Sequence, residues 1–183
     1  MTHFEYFTAW HLRCVEVLDA ARATDMGDDE YRSWAYTVFS RNGELPPAAF
    51  GALLHARRVR LTERALDLLA EHDARDAGPV EIPRPWVEDP GEAFPLGMAT
   101  VGGELVDSFT WQGIVICVAR GVQAYVAEAR EELWPVCPDH GRGLHAAPAQ
   151  GRAAWWCLAT DHVVAWILDP DPFPGASASR RLV

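Results

Sequence analysis

The sequence predicts a mainly α protein, a bundle of three or four helices followed by a small C-terminal β-hairpin unit. Three observations carry this. Apolar residues recur at three- and four-residue spacing over 4–24, 47–76 and 111–133. A Pro/Gly-punctuated stretch, 77–108, separates the last of these from the others. Two short runs rich in Trp and Val, 152–158 and 162–168, have strand-forming character.

The elements follow in order. Phe7, Trp10, Cys14, Val17, Leu18 and Ala21 give the first helix its stripe. Asp28 is a natural cap for a second helix over 29–40, with Tyr31, Trp34, Ala35, Val38 and Phe39 on its apolar side. Arg41-Asn42-Gly43 stops it, and Pro46-Pro47 starts the third. The third helix runs over 47–76 along Phe50, Leu54, Leu61, Ala65 and Leu68, with room for a short break near Leu61-Thr62. Residues 77–108 read as an ordered loop or weak hairpin packed across the helices. The strongest stripe follows, from Trp111 through Val115, Val118, Val122 and Val126 to Leu133, with Ser108 as the expected cap. Trp134-Pro135 ends it. The valines are expected to bury against Trp10, Cys14, Leu54 and Leu61. The organisation is therefore a helical domain at 1–135, a Cys/His hairpin module at 136–168 and a disordered tail at 169–183.

Composition excludes several classes. Hydrophobic residues make up 49% and charged residues 23%, which is globular rather than disordered. All 16 basic residues are Arg, against 26 acids, for a net charge of -10. Residues 1–78 carry nine Arg and 13 acids, net -4; residues 79–183 carry seven and 13, net -6. Both halves oppose a polyanion, which argues against nucleic acid as a partner. The opening MTHFEYFTAW has neither the basic nor the apolar region of a signal peptide. The apolar run 114–119 is too short to span a bilayer. The expectation is a cytoplasmic protein whose cysteines are buried thiols or metal ligands.

One constellation resembles a site. Cys137-x2-His140 precedes Cys157-x4-His162, with sixteen residues between the pairs. Two short-spaced pairs brought together by a hairpin supply four tetrahedral ligands for Zn²⁺, and thiolate and imidazole both suit that ion. His145 competes with His162 for the fourth position. Residues 133–167, with Trp134-Pro135-x-Cys137-Pro138-x-His140 and later Ala154-Trp155-Trp156-Cys157, resemble a C-terminal zinc-ribbon-like segment of uncharacterised actinobacterial proteins. The usual form of that segment has Cys-Pro at its second knuckle, where this chain has Cys157-Leu158. The resemblance covers about a fifth of the chain and implies no activity.

Other features read as structural. Arg57, Arg58, Arg60 and Arg64 make a solvated basic face, with a phosphate or acidic partner as the sharper alternative. Cys14 and Cys117 lie on apolar stripes and read as buried thiols. Asp139, Asp161 and Asp169 lie near the histidines, but no nucleophile motif accompanies them. The eight Trp suggest a protein-binding patch built from Trp86, Phe94, Trp155 and Trp166. The sequence thus points to a non-enzymatic protein-protein interaction or assembly module with a structural zinc. The competing classes are an enzyme with a pocket between the helices and 77–108, and a zinc-containing nucleic-acid regulator.

Overall fold

The computed structural model describes residues 2–18, 27–73 and 83–168. The expected tail at 169–183 and the far end of the first helix lie outside the described residues. Helix α1 (His3–Val17) starts in a capping box: the Glu5 N–H donates to Thr2 Oγ1, and the Thr2 N–H to the Glu5 carboxylate. Helix α2 (Asp29–Asn42) is capped by Asp28 as the sequence predicts and ends at Gly43, whose φ is 72°. Helix α3 (Pro47–Asp73) runs unbroken through Leu61-Thr62. Helix α4 (Trp111–Arg130) is capped by Thr110, not Ser108. The Ser108 hydroxyl instead accepts from the Thr110 N–H at 3.2 Å and so shapes the cap. The helix stops at Arg130, leaving Leu133 exposed rather than at the end of the stripe.

Two three-stranded antiparallel sheets complete the described residues. The first, β1 (Trp86–Glu88), β2 (Met98–Val101) and β3 (Glu104–Leu105), lies within the stretch read as a loop or weak hairpin. The second is β4 (His145–Ala149), β5 (Arg152–Cys157) and β6 (His162–Trp166), in that order. Strands β5 and β6 are the expected hairpin. Strand β4 adds an edge, where its Pro148 is tolerated.

Helix α3 joins two cores. The first is aromatic: Phe7, Trp10, Cys14, Tyr31, Phe39, Phe50, Leu54 and Phe109 close between α1, α2 and the start of α3. Its rings pack tilted or edge-on, with Trp10 centred 5.0 Å from Phe50 and 5.2 Å from Phe39. The second is aliphatic. It joins Leu61, Ala65 and Leu69 of α3 to the α4 valines, to Ala99 and Val101, and to the inner face of the second sheet. All four α4 valines are buried, but of their expected partners only Leu61 shares their core. Trp10, Cys14 and Leu54 belong to the aromatic one. The first sheet reaches α4 through backbone contact. A Cβ on Gly121 would collide with the Val101 carbonyl, and one on Gly102 with the Gly121 carbonyl. Only glycine permits that approach.

A buried polar belt lies on α3 and the turn before α4: His55, Arg57, Arg58, Thr62, Ser108 and Thr110. The solvated reading of the Arg run is corrected here, since only Arg60 and Arg64 are exposed. Arg57 pairs with Glu30, and the Glu30 carboxylate also accepts the Trp111 N–H at 3.0 Å, tying α2 and α3 to the start of α4. Trp34 lies 5.3 Å beneath the Arg57 guanidinium. Arg58 donates to the Leu96 and Gly97 carbonyls, both at 2.7 Å.

The belt carries a pH dependence. Arg58 Nη2 lies 3.0 Å from His55 Nδ1. A guanidinium only donates, so Nδ1 accepts and the ring is neutral. Burial, then the Arg58 charge, lowers the His55 pKa below its ordinary 6.5; Asp89 and the Leu96 backbone oppose this. Burial and Arg32 lower His11 likewise. The unfolded histidines therefore bind protons more readily than the folded ones. Stability is full above pH 6.5 and falls as pH drops from there through the folded values. Urea midpoints are expected to decline over that window, and less steeply in His55→Gln. Equal slopes in the two proteins would contradict this account.

Candidate metal centre

The knuckle begins just beyond α4. The Gln123 side-chain amide donates to the Trp134 carbonyl at 3.1 Å and the Leu144 carbonyl at 2.7 Å, clamping both ends of the loop to the helix. Inside that clamp Val136 bridges Gly143, and the Cys137 N–H donates to the Arg142 carbonyl at 2.8 Å. The Gly141 N–H returns to the Cys137 carbonyl at 2.9 Å, with Gly141 at φ 61°. This turn directs Cys137 inward, fully buried, and leaves His140 exposed.

The second pair comes from the β5–β6 hairpin. Cys157 and His162 are opposite one another in the register. Cross-strand partners share a face, with Cβ atoms about 4.5–5.5 Å apart. A spacing of five in sequence thus becomes direct juxtaposition. The turn between them places Asp161 at φ 56°. Its carboxylate accepts the Trp156 indole N–H at 2.9 Å, so Asp161 is engaged in holding the hairpin. Thr160 Oγ1 lies 2.7 Å from His162 Nδ1 and orients that ring.

The two pairs converge. One donor atom from each of Cys137, His140, Cys157 and His162 lies within 4.8 Å of all the others. His140 Nδ1 is 3.3 Å from Cys137 Sγ and 3.5 Å from Cys157 Sγ. The rings of His140 and His162 are centred 5.6 Å apart. Both thiols are fully buried, and His162 is half-buried. The cluster is close enough to coordinate a metal. His145 stands outside it, opposite Trp156 in the β4–β5 register.

The remaining candidates part company. Trp155 is buried against Trp134, whereas Trp166 is half-buried and lies 4.3 Å beneath the Arg152 guanidinium. Asp169 lies outside the described residues. Sequence reasoning missed a cleft of about 420 Å³ between the end of α4 and the knuckle, lined by Gln123, Ala127, Leu133, Trp134, Leu144 and His145 among others. Its walls are mostly apolar, and no spacing in the sequence signals it. Among the described residues no helix is long and apolar enough to cross a membrane. No protein-family model, curated protein or solved structure matches the chain.

Proposed function

We propose that the Cys/His cluster is a structural Zn²⁺ centre, and that the protein is a non-enzymatic module that works by binding another protein. The observation that carries the metal reading is the convergence of four donor atoms within 4.8 Å, two of them sulfurs with no solvent exposure. Tetrahedral zinc with Zn–S near 2.3 Å and Zn–N near 2.0–2.1 Å sets ligand–ligand edges of roughly 3.3–3.8 Å. The sulfur–nitrogen separations of 3.3 and 3.5 Å fall within that range. Zinc would be held by two buried thiolates, the ligand type that suits a structural site. Four protein ligands leave no open position for a substrate, which supports a structural role over a catalytic one. Reduced thiols fit a reducing compartment such as the cytoplasm.

The test of the metal is direct. The purified full chain is expected to hold about one zinc, read by elemental analysis, and chelation is expected to accelerate hydrogen exchange across 133–168. A chain that neither carries nor takes up zinc overturns the reading.

The partner reading rests on the first sheet. Trp86 and Leu105 both pair with Thr100, so the three share one face, on which Trp86 is 54% and Leu105 46% exposed. Exposed Phe94 lies in the loop beside it. An aromatic centre of this kind suits a protein partner or a second copy. Trp86→Ala is expected to lower partner recovery in cross-linked affinity capture, or self-association in sedimentation, while circular dichroism stays unchanged. Equal behaviour of mutant and wild type on both measurements counts against this face.

A further inference from the structure

The fold divides the four cysteines into two kinds. Cys14 is sealed in the aromatic core, and burial pushes its thiol pKa up. Cys117 Sγ donates to Asp107 Oδ1 at 3.6 Å; burial, then that carboxylate, push its pKa up to about 11. Both are poor nucleophiles, because the reactive species is the thiolate. Cys137 and Cys157 differ in position. They are twenty residues apart in sequence, yet their sulfurs lie within 4.8 Å of one another. The side chain touching both, His140, is exposed, so its departure opens the pair to solvent.

Building on the metal-centre reading, we infer that Cys137 and Cys157 are also a thiol–disulfide couple, oxidised by a hydroperoxide with release of the zinc and restored by a dithiol. One thiolate attacks the peroxide: an S–O bond forms, the O–O bond breaks, and the leaving oxygen takes a proton to become an alcohol or water. The second thiolate attacks the resulting sulfenic sulfur. The S–S bond forms, the S–O bond breaks, and hydroxide leaves and takes a proton as water. The two sulfurs lose two electrons and the peroxide gains them. The site would then offer a zinc ion only the imidazoles of His140 and His162, and would lose it. A reducing dithiol reverses the bond by exchange and is itself oxidised to a disulfide.

The geometry favours this pairing over others. A disulfide needs its sulfurs near 2.05 Å, and a pair already within 4.8 Å has little distance left to close once the intervening imidazole swings out. Gly141, at φ 61°, directly follows His140 in the segment that carries that imidazole. Zinc and disulfide tie the same two segments, knuckle and hairpin. Oxidation therefore changes the exposed surface, freeing His140 and His162, while the sheet remains docked on α4.

The experiment uses full-length protein with zinc content measured beforehand, so failure of the metal reading is registered before oxidation begins. Hydrogen peroxide is added in stoichiometric steps. Zinc release is followed with a chromogenic chelator, and thiols are mapped by alkylation and peptide mass. The expected result is one zinc released for each pair of thiols lost, a linked 137–157 peptide, and Cys14 and Cys117 still alkylatable. Dithiothreitol should then restore both thiols and zinc uptake. Metal-free protein treated with peroxide should give the same linked peptide, whereas Cys137→Ser should give none. Oxidation that falls first on Cys14 or Cys117, or that drives a single cysteine to the sulfinic acid without a linked peptide, overturns the proposal whether or not zinc is bound.

Discussion

Cys157→Ser is expected to abolish zinc retention and to destabilise the chain by more than about 4 kcal/mol, the range in which loss of a structural metal falls. The size follows from what the site joins. Cys157 closes β5, Cys137 closes the knuckle, and both belong to the aliphatic core with Leu144, Ala146, Trp155 and Ile167. Without zinc the junction of Cys137 and Cys157 is left with weak sulfur–imidazole contacts beside the apolar packing of the core. The loosened hairpin then exposes the part of α4 that it covers. Two controls separate coordination from packing. Cys117→Ala removes a buried thiol elsewhere in the same core and should keep its zinc, at a cost of about 1–2 kcal/mol. His145→Ala should keep it too, because that residue is outside the cluster. Denaturant midpoints with and without chelator read the effect. If Cys157→Ser costs only about 1 kcal/mol, an ordinary point-mutant value, and midpoints ignore the chelator, the cluster is two buried thiols sharing a histidine.

The sequence could nominate the four ligands but could not choose between His145 and His162. Pair spacing brought Cys137, His140 and Cys157 forward, since a knuckle turn and a hairpin end are local features. The fourth position depends on strand register, which is not local. His162 falls opposite Cys157, whereas His145 falls opposite Trp156, one residue along β5. A slip of one residue exchanges the two faces of a strand, so the choice turns on a pairing that spacing alone leaves open. Strand β4 itself was hidden by its composition. His145-Ala-Ala-Pro-Ala149 has no β-branched or aromatic residue, and tertiary packing supplies what propensity lacks.

The helices were legible because each carries a periodic stripe; their mutual packing was not. Helix α3 spans 27 residues, about 40 Å at 1.5 Å per residue, which is longer than one small core. Its apolar face serves the aromatic cluster at Phe50 and Leu54 and the aliphatic cluster from Leu61 onward. Matching stripes by apolar content cannot show where one core ends. The residues that mark the division are polar, and periodicity assigns such residues to the surface by default.

Arg58 is the sharpest case, and its replacement should be the most damaging change outside the metal centre. Arg58→Met is expected to cost about 3–5 kcal/mol, the range for breaking a buried charged contact. Arg58 is 4% exposed; its guanidinium donates to the Leu96 and Gly97 carbonyls and lies 5.3 Å over the Phe109 ring. Burial lowers its pKa to about 10, while Asp107 pulls the other way, so it stays charged at neutral pH. Methionine fills much of the volume yet leaves both carbonyls and His55 Nδ1 without their donor. Arg58→Lys should recover only part of the loss: one nitrogen, Nη2, makes all three contacts, but the shorter lysine stem does not carry an ammonium to the same point, and the planar group over Phe109 is lost. Arg64→Ala, on the exposed side of α3, should stay within about 0.5 kcal/mol. The loss should be local before it is global. Hydrogen exchange should accelerate first at Gly97, whose N–H donates to the Phe94 carbonyl, and along β2. Were Arg58→Met as mild as Arg64→Ala, the belt would be a passive consequence of burial, and the attachment of the first sheet to α3 would rest on apolar contact alone.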